Sequence, residues 1–177
     1  MTLDEEALIL QEMMKWLDRR FNYVPPAGEY PVIVERLRGT PSRVLERVRF
    51  VPPPLLTRRT GEGWTAQEQI GHLLDLETLW SLRVDDFLRG AKELTAADMT
   101  NQKTREAGHN ERSIHAIVAE FTVARQRMVA QLEGAGNPEV SALHPRLQRS
   151  MRLIDFCFFI AEHDDHHLAI VTRILDA

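Results

Sequence analysis

At 177 residues the chain has the length of one domain with a buried core, and its 44% hydrophobic and 27% charged residues are those of an ordinary globular protein. A formal charge of −4, with no basic block, argues against nucleic acid as the main partner. The single cysteine, Cys157, excludes an internal disulfide, and no apolar run approaches the roughly 20 residues that span a bilayer.

The segment Met1–Glu6 is acidic and lacks the apolar stretch of a secretory signal, so the expectation is a cytoplasmic protein with no membrane partner. Five segments carry helical periodicity. In the first, Leu3, Ala7, Leu10, Met14, Leu17 and Phe21 recur at spacings of four and three, which predicts an N-terminal helical extension within residues 1–24. Pro25, Pro26 and Gly28 end it. A second helix is expected from about Glu29 to Arg49, with a kink or restart at Thr40-Pro41. Thr65-Ala-Gln-Glu68 has the pattern of a capping box for a third helix running to about Leu88.

Gly90 to His109 is polar and without a firm period, so it reads as a long crossover. Asn110 is placed to cap a fourth helix that ends near Glu133, before Gly134 and Gly136. Residues 137–149 read as loop, and a last helix spans about Met151 to Leu175. No segment shows persuasive strand alternation. The expected fold is all-α: a four-helix bundle over 29–175 with a long crossover between core helices two and three, plus the extra N-terminal helix. Residues 1–177 form a single domain in this reading.

The chemistry concentrates in histidines. On a wheel of about 100° per residue, His163 and His167 lie about 40° apart, one turn from each other. Their face also carries Phe156, Phe159, Ile160, Ile170 and Ile174, so both imidazoles sit within the stripe that meets the neighbouring helices. Two such rings can aim nitrogens at one ion. A pair of hydrogen-bonded core histidines is the plainer alternative. His72, on the third helix, offers a third imidazole, and an all-imidazole set suits zinc or nickel better than magnesium or calcium. The expected site is therefore His72, His163 and His167 around a divalent transition metal, with a position open to water or substrate.

His166 falls on the other side of His163, about 60° away. It could replace His167 as a ligand, support the site from outside, or remain a partly exposed polar residue. Asp164 and Asp165 point further away, toward an expected solvated face. His109, His115 and His144 lack comparable partners. Arg125 falls at the centre of the apolar face of the fourth helix and needs an acceptor, because an unpaired buried charge is costly. Asp75 and Glu68, flanking His72, could supply it. An internal salt bridge is preferred for Arg125 over a role in binding a substrate anion, although Arg125 and Asp75 remain the candidate catalytic groups. Asp75 could equally orient a ligand imidazole. Glu68 and Asp75 are also possible fourth ligands closing the metal shell. Cys157 lies about 120° from His163 and is a poor ligand. No Ser-His-Asp pattern, phosphate-binding glycine loop or HExxH motif is present.

Two stretches, Gly63-Trp-Thr-Ala-Gln-Glu-Gln-Ile-Gly-His-Leu-Leu-Asp-Leu-Glu77 and Ala161-Glu-His-Asp-Asp-His-His-Leu-Ala-Ile170, resemble the DinB/YfiT-like superfamily of four-helix metalloproteins. Carried over, its metal-binding histidines are His72, His163 and His167. The resemblance implies a metal at one end of the bundle, commonly zinc or nickel, and frequently a homodimer. Among the activities it implies are transferases and isomerases that use a low-molecular-weight thiol, and metal-dependent hydrolases. It leaves open a non-catalytic binding bundle. The leading expectation is a metal-dependent enzyme acting on a small molecule, with S-transfer from a low-molecular-weight thiol first and metal-dependent hydrolysis as the alternative.

Overall fold

The computed structural model describes residues 13–21 and 23–177. Among them are helices α1 (Tyr30–Val48), α2 (Pro53–Leu56), α3 (Ala66–Leu88), α4 (Gln102–Glu106), α5 (Ile114–Glu133) and α6 (Leu153–Asp176), and strands β1 (Ser141–His144) and β2 (Arg149–Arg152). The four long helices form the bundle: α1 and α3 each pack against both α5 and α6. The long crossover joins α3 to α5 and holds α4 and a 3-10 turn at His109–Glu111. No helix among the described residues is long and apolar enough to cross a membrane.

Local sequence explains most of the helix boundaries. Thr65 and Glu68 exchange both bonds of a capping box at the start of α3. Pro31 enters α1 in its first turn, where a missing N–H costs nothing. Pro41 does not break α1, which runs through it. Its absent N–H leaves the Leu37 carbonyl without its usual partner, and Arg125 Nη1 donates to that oxygen at 3.1 Å.

Several expectations are corrected. Residues 1–12 of the predicted N-terminal helix lie outside the described residues. Over Met13–Phe21 the chain makes one 3-10 turn, Trp16–Asp18, and is extended at Arg19 (φ −66°, ψ 140°). Trp16 and Phe21 both place their rings on Phe159. On a helix, side chains five apart would diverge by about 140°. Asn110 does not cap α5; Ser113 holds that position. Asn110 instead accepts from the Thr65 hydroxyl and donates to Glu68, tying the crossover to the head of α3.

The expected loop at 137–149 contains β1, which pairs antiparallel with β2 in a hairpin. Gln148 turns the chain at φ +48°, and Leu143 accepts from the Leu94 N–H and donates to the Lys92 carbonyl of the crossover. Each strand has four residues and no β-branched side chain. The pairing comes from the crossover edge and from burying Ala142 and Met151, not from local propensity.

The core is divided. One apolar cluster includes Leu37, Trp80, Phe87, Met128 and Phe156, the other Val44, Leu73, Phe121 and Val171. Between them in each long helix lies a buried polar residue: Thr40 in α1, Glu77 in α3, Arg125 in α5 and Asp164 in α6. Asp164, expected on a solvated face, is fully buried. Arg125 draws it inward, because a guanidinium in the core needs carboxylates beside it.

Candidate metal centre

The one-turn spacing on α6 carries both His163 and His167 to the side facing α3, and α3 presents His72 to them. The three ring centroids lie 4.4 Å (His163–His167), 4.9 Å (His72–His167) and 5.5 Å (His72–His163) apart. All three residues are buried. One ligand atom from each falls within 4.8 Å of the others, the grouping expected of a metal site.

The donor set fits a cation. His167 Nδ1 lies 2.6 Å from Gln69 Oε1. A carboxamide oxygen only accepts, so Nδ1 carries the proton and Nε2 carries the lone pair. That Nε2 sits 3.1 Å from His163 Nε2, close to the roughly 3.3 Å between ligands around a tetrahedral ion with bonds of ~2.0–2.1 Å. His72 Nδ1 contacts the Thr104 hydroxyl at 3.0 Å, turning Nε2 of that ring toward the other two. His163 Nδ1 is buried with no partner.

Burial keeps the rings neutral, as metal ligation requires. It pushes His72 down to about 4, against the opposing pull of Asp75. His163 and His167 are held well below the ordinary histidine value, by desolvation first and by the neighbouring imidazoles second, with Arg125 adding to the effect on His163. In the unfolded chain these rings bind protons below about 6.5, so the unfolded state gains protons that the folded state refuses. Stability of the metal-free protein is therefore expected to fall as pH drops from about 6.5 to about 4 through His72, and lower still through the other two. The slope is up to about 1.4 kcal/mol per pH unit for each ring. Urea unfolding at a series of pH values measures it; a flat profile, or one unchanged in His167→Gln, contradicts the assignment.

Aromatic rings enclose the site. Trp64 packs on His72 (centroids 4.8 Å), Trp16 meets His163 edge-on (5.0 Å), and Trp80 approaches His163 from the bundle interior (6.0 Å). Arg19 holds the Trp16 segment down, donating to Glu162 at 2.8 Å with its guanidinium over the Trp16 ring. His166 is half-buried against Trp16 and outside the three-nitrogen group. Cys157 is buried and its thiol is pushed up by desolvation, consistent with an inert core residue.

The other sequence candidates find different partners from those expected. Arg125 pairs with Glu77 (2.6 Å) and Asp164 (2.5 Å), not with Asp75 or Glu68. Glu77, to which the sequence assigns no role, follows Ile70 and Leu73 by seven and four residues and precedes Trp80 by three, spacings that place it on the same buried face of α3. Glu68 serves its capping box and Arg59. Asp75 bonds His109 at 2.8 Å, a histidine that had no evident partner in the sequence. Asp165 binds Arg36 and Arg43 at the partly exposed surface. His115 is exposed, and His144 is buried beside Arg83.

His109 lies against the backbone of Gly71, where an added Cβ would overlap its ring. Gly71→Ala is expected to cost ~1–3 kcal/mol through overpacking and to displace His109 from Asp75. Chemical denaturation checks the loss, and stability equal to the parent contradicts the close approach.

Comparison with known proteins agrees with this architecture. No curated protein sequence matches the chain. Among solved structures, YfiT from Bacillus subtilis superposes with a TM-score of 0.75 over 88% of this chain and 91% of that one, at 17% identity. It is described as a probable metal-dependent hydrolase with an unusual four-helix bundle topology. The family model of the DinB superfamily matches residues 36–171, which contain all three histidines, and the chain belongs to that superfamily.

Proposed function

We propose that this protein is a metal-dependent hydrolase acting on a small molecule, with a divalent transition metal, zinc or nickel, held by His72, His163 and His167. The donor set carries the reading: three neutral imidazoles converge, and among the described residues no fourth His, Cys, Asp or Glu joins their group. Three protein ligands leave a position for an exchangeable group, whereas a structural site is closed by four. Nitrogen donors select zinc or nickel over the oxygen-seeking magnesium and calcium. The description of YfiT points the same way.

A bound cation supplies Lewis acidity, lowering the pKa of the water or thiol that occupies the open position. The chain's own residues set the conditions. Gln69 and Thr104 fix the orientation of two imidazoles. Trp16, Trp64 and Trp80 line the surroundings with apolar surface that strengthens electrostatic interactions inside. Arg125, spent on Glu77, Asp164 and Leu37, is unsuited to hold a substrate carboxylate.

The second reading is S-transfer with a low-molecular-weight thiol. The aromatic surroundings favour it, because a thiolate gives up hydration more readily than hydroxide. The cobalt-substituted protein separates the two. A sulfur-to-cobalt absorption band on adding small thiols selects the transferase. No band, together with chelator-sensitive hydrolysis of a panel of small esters and amides, selects the hydrolase. Failure of the purified protein to take up stoichiometric zinc, nickel or cobalt overturns both.

A further inference from the structure

We propose that Thr104, Asp75 and His109 form a hydrogen-bonded array that sets the tautomer of His72 and so determines how tightly the three-histidine site holds its cation. The proposal rests on the metal reading above and assigns a task to the crossover between α3 and α5. Thr104 comes from α4 and His109 from the 3-10 turn that follows it, while Asp75 stands one turn beyond His72 on α3. Thr104 and His109 are buried. Lys103 Nζ donates to the Asp75 carbonyl at 3.0 Å and helps fasten the crossover to α3.

The direction of each bond follows from what each group can donate. The Asp75 carboxylate only accepts. His109 Nε2, 2.8 Å from Oδ2, must therefore carry its proton, and the partnerless Nδ1 is a bare lone pair, cheaper to bury than an orphaned N–H. The Thr104 hydroxyl has one proton, and the Asp75 carboxylate, which that hydroxyl helps hold below the usual carboxylate value, is a stronger acceptor for it than a neutral imidazole. Its oxygen is left to accept from His72 Nδ1 at 3.0 Å. The His72 proton is thus placed on Nδ1 and its lone pair on Nε2, toward His163 and His167. A free histidine side chain favours the opposite tautomer, so without the array His72 spends much of its time with a proton where the cation belongs.

His167 has its Nδ1 proton placed by Gln69. The two imidazoles on different helices are therefore set by different means. Gln69 sits on the same helix as His72, whereas Thr104 comes from the crossover.

The test compares Thr104→Val with Thr104→Ser in the full chain, by zinc competition against a chelator and by nitrogen NMR of the imidazoles in metal-free protein. Thr104→Val is expected to bind zinc ~10–100-fold more weakly, the usual cost of losing such a partner, and to shift His72 toward the Nε2-protonated form. Thr104→Ser restores both. Parent-like zinc affinity in folded Thr104→Val overturns the proposal, and so does finding the parent His72 proton on Nε2. If the parent takes up no zinc, the metal reading fails by itself, and the NMR signal still reports whether Thr104 sets the tautomer.

Discussion

His163→Ala is expected to abolish stoichiometric metal binding. The ring supplies one of three nitrogens, and its Nε2 lies 3.1 Å from that of His167, so truncation leaves two ligands on different helices and no neighbour able to replace it. His166, the nearest alternative, faces Trp16. The loss should exceed the ~100-fold upper end seen for partners that only orient a ligand. Metal analysis of purified variants, with circular dichroism to confirm folding, makes the measurement. His72→Ala should behave alike. A folded His163→Ala protein with parent-like metal content would remove the basis of the proposed function.

Arg125→Met should produce the largest loss of stability. Arg125, Glu77 and Asp164 are all almost fully buried, and the guanidinium donates to both carboxylates and to the Leu37 carbonyl. Removing it strands two carboxylates and a backbone oxygen in the core. Breaking a buried pair on one side costs roughly 3–5 kcal/mol, and a third orphan adds to that. For a chain of this size the melting temperature should fall by about 6–20 °C. Burial already raises the pKa of Glu77 despite the opposing pull of Arg125, and removing Arg125 raises it further. The triple variant Arg125→Met, Glu77→Gln, Asp164→Asn should regain part of the loss, since no net charge then remains buried. A single-variant loss below ~1 kcal/mol would mean that the polar layer is hydrated and not a dry ion cluster.

The polar layer also bears on specificity. Each long helix contributes one member, and a register slip of any helix would break the Thr40–Asp164, Arg125–Asp164 or Arg125–Glu77 contact. Asp164 lies between His163 and His167 in sequence. The rotation that buries Asp164 against Arg125 is the same rotation that turns the two imidazoles toward α3. Structural residues and candidate ligands thus share one helix setting.

What the sequence alone determined is what adjacent residues decide among themselves. The capping box at Thr65–Glu68, the helical periodicities and the shared side of His163 and His167 all depend on spacings of three or four residues. The tertiary structure decided which groups meet across helices and loops: Arg125 with Glu77 and Asp164, Asp75 with His109, Thr104 with His72, and the four-residue strands of the hairpin. The physical reason is that a buried charge or an unpaired strand edge accepts whatever complementary partner the packing places beside it. In this bundle α3 packs against α5, α6 and the crossover, so partners 32 to 48 residues apart in the chain become neighbours. Local periodicity carries no information about that choice.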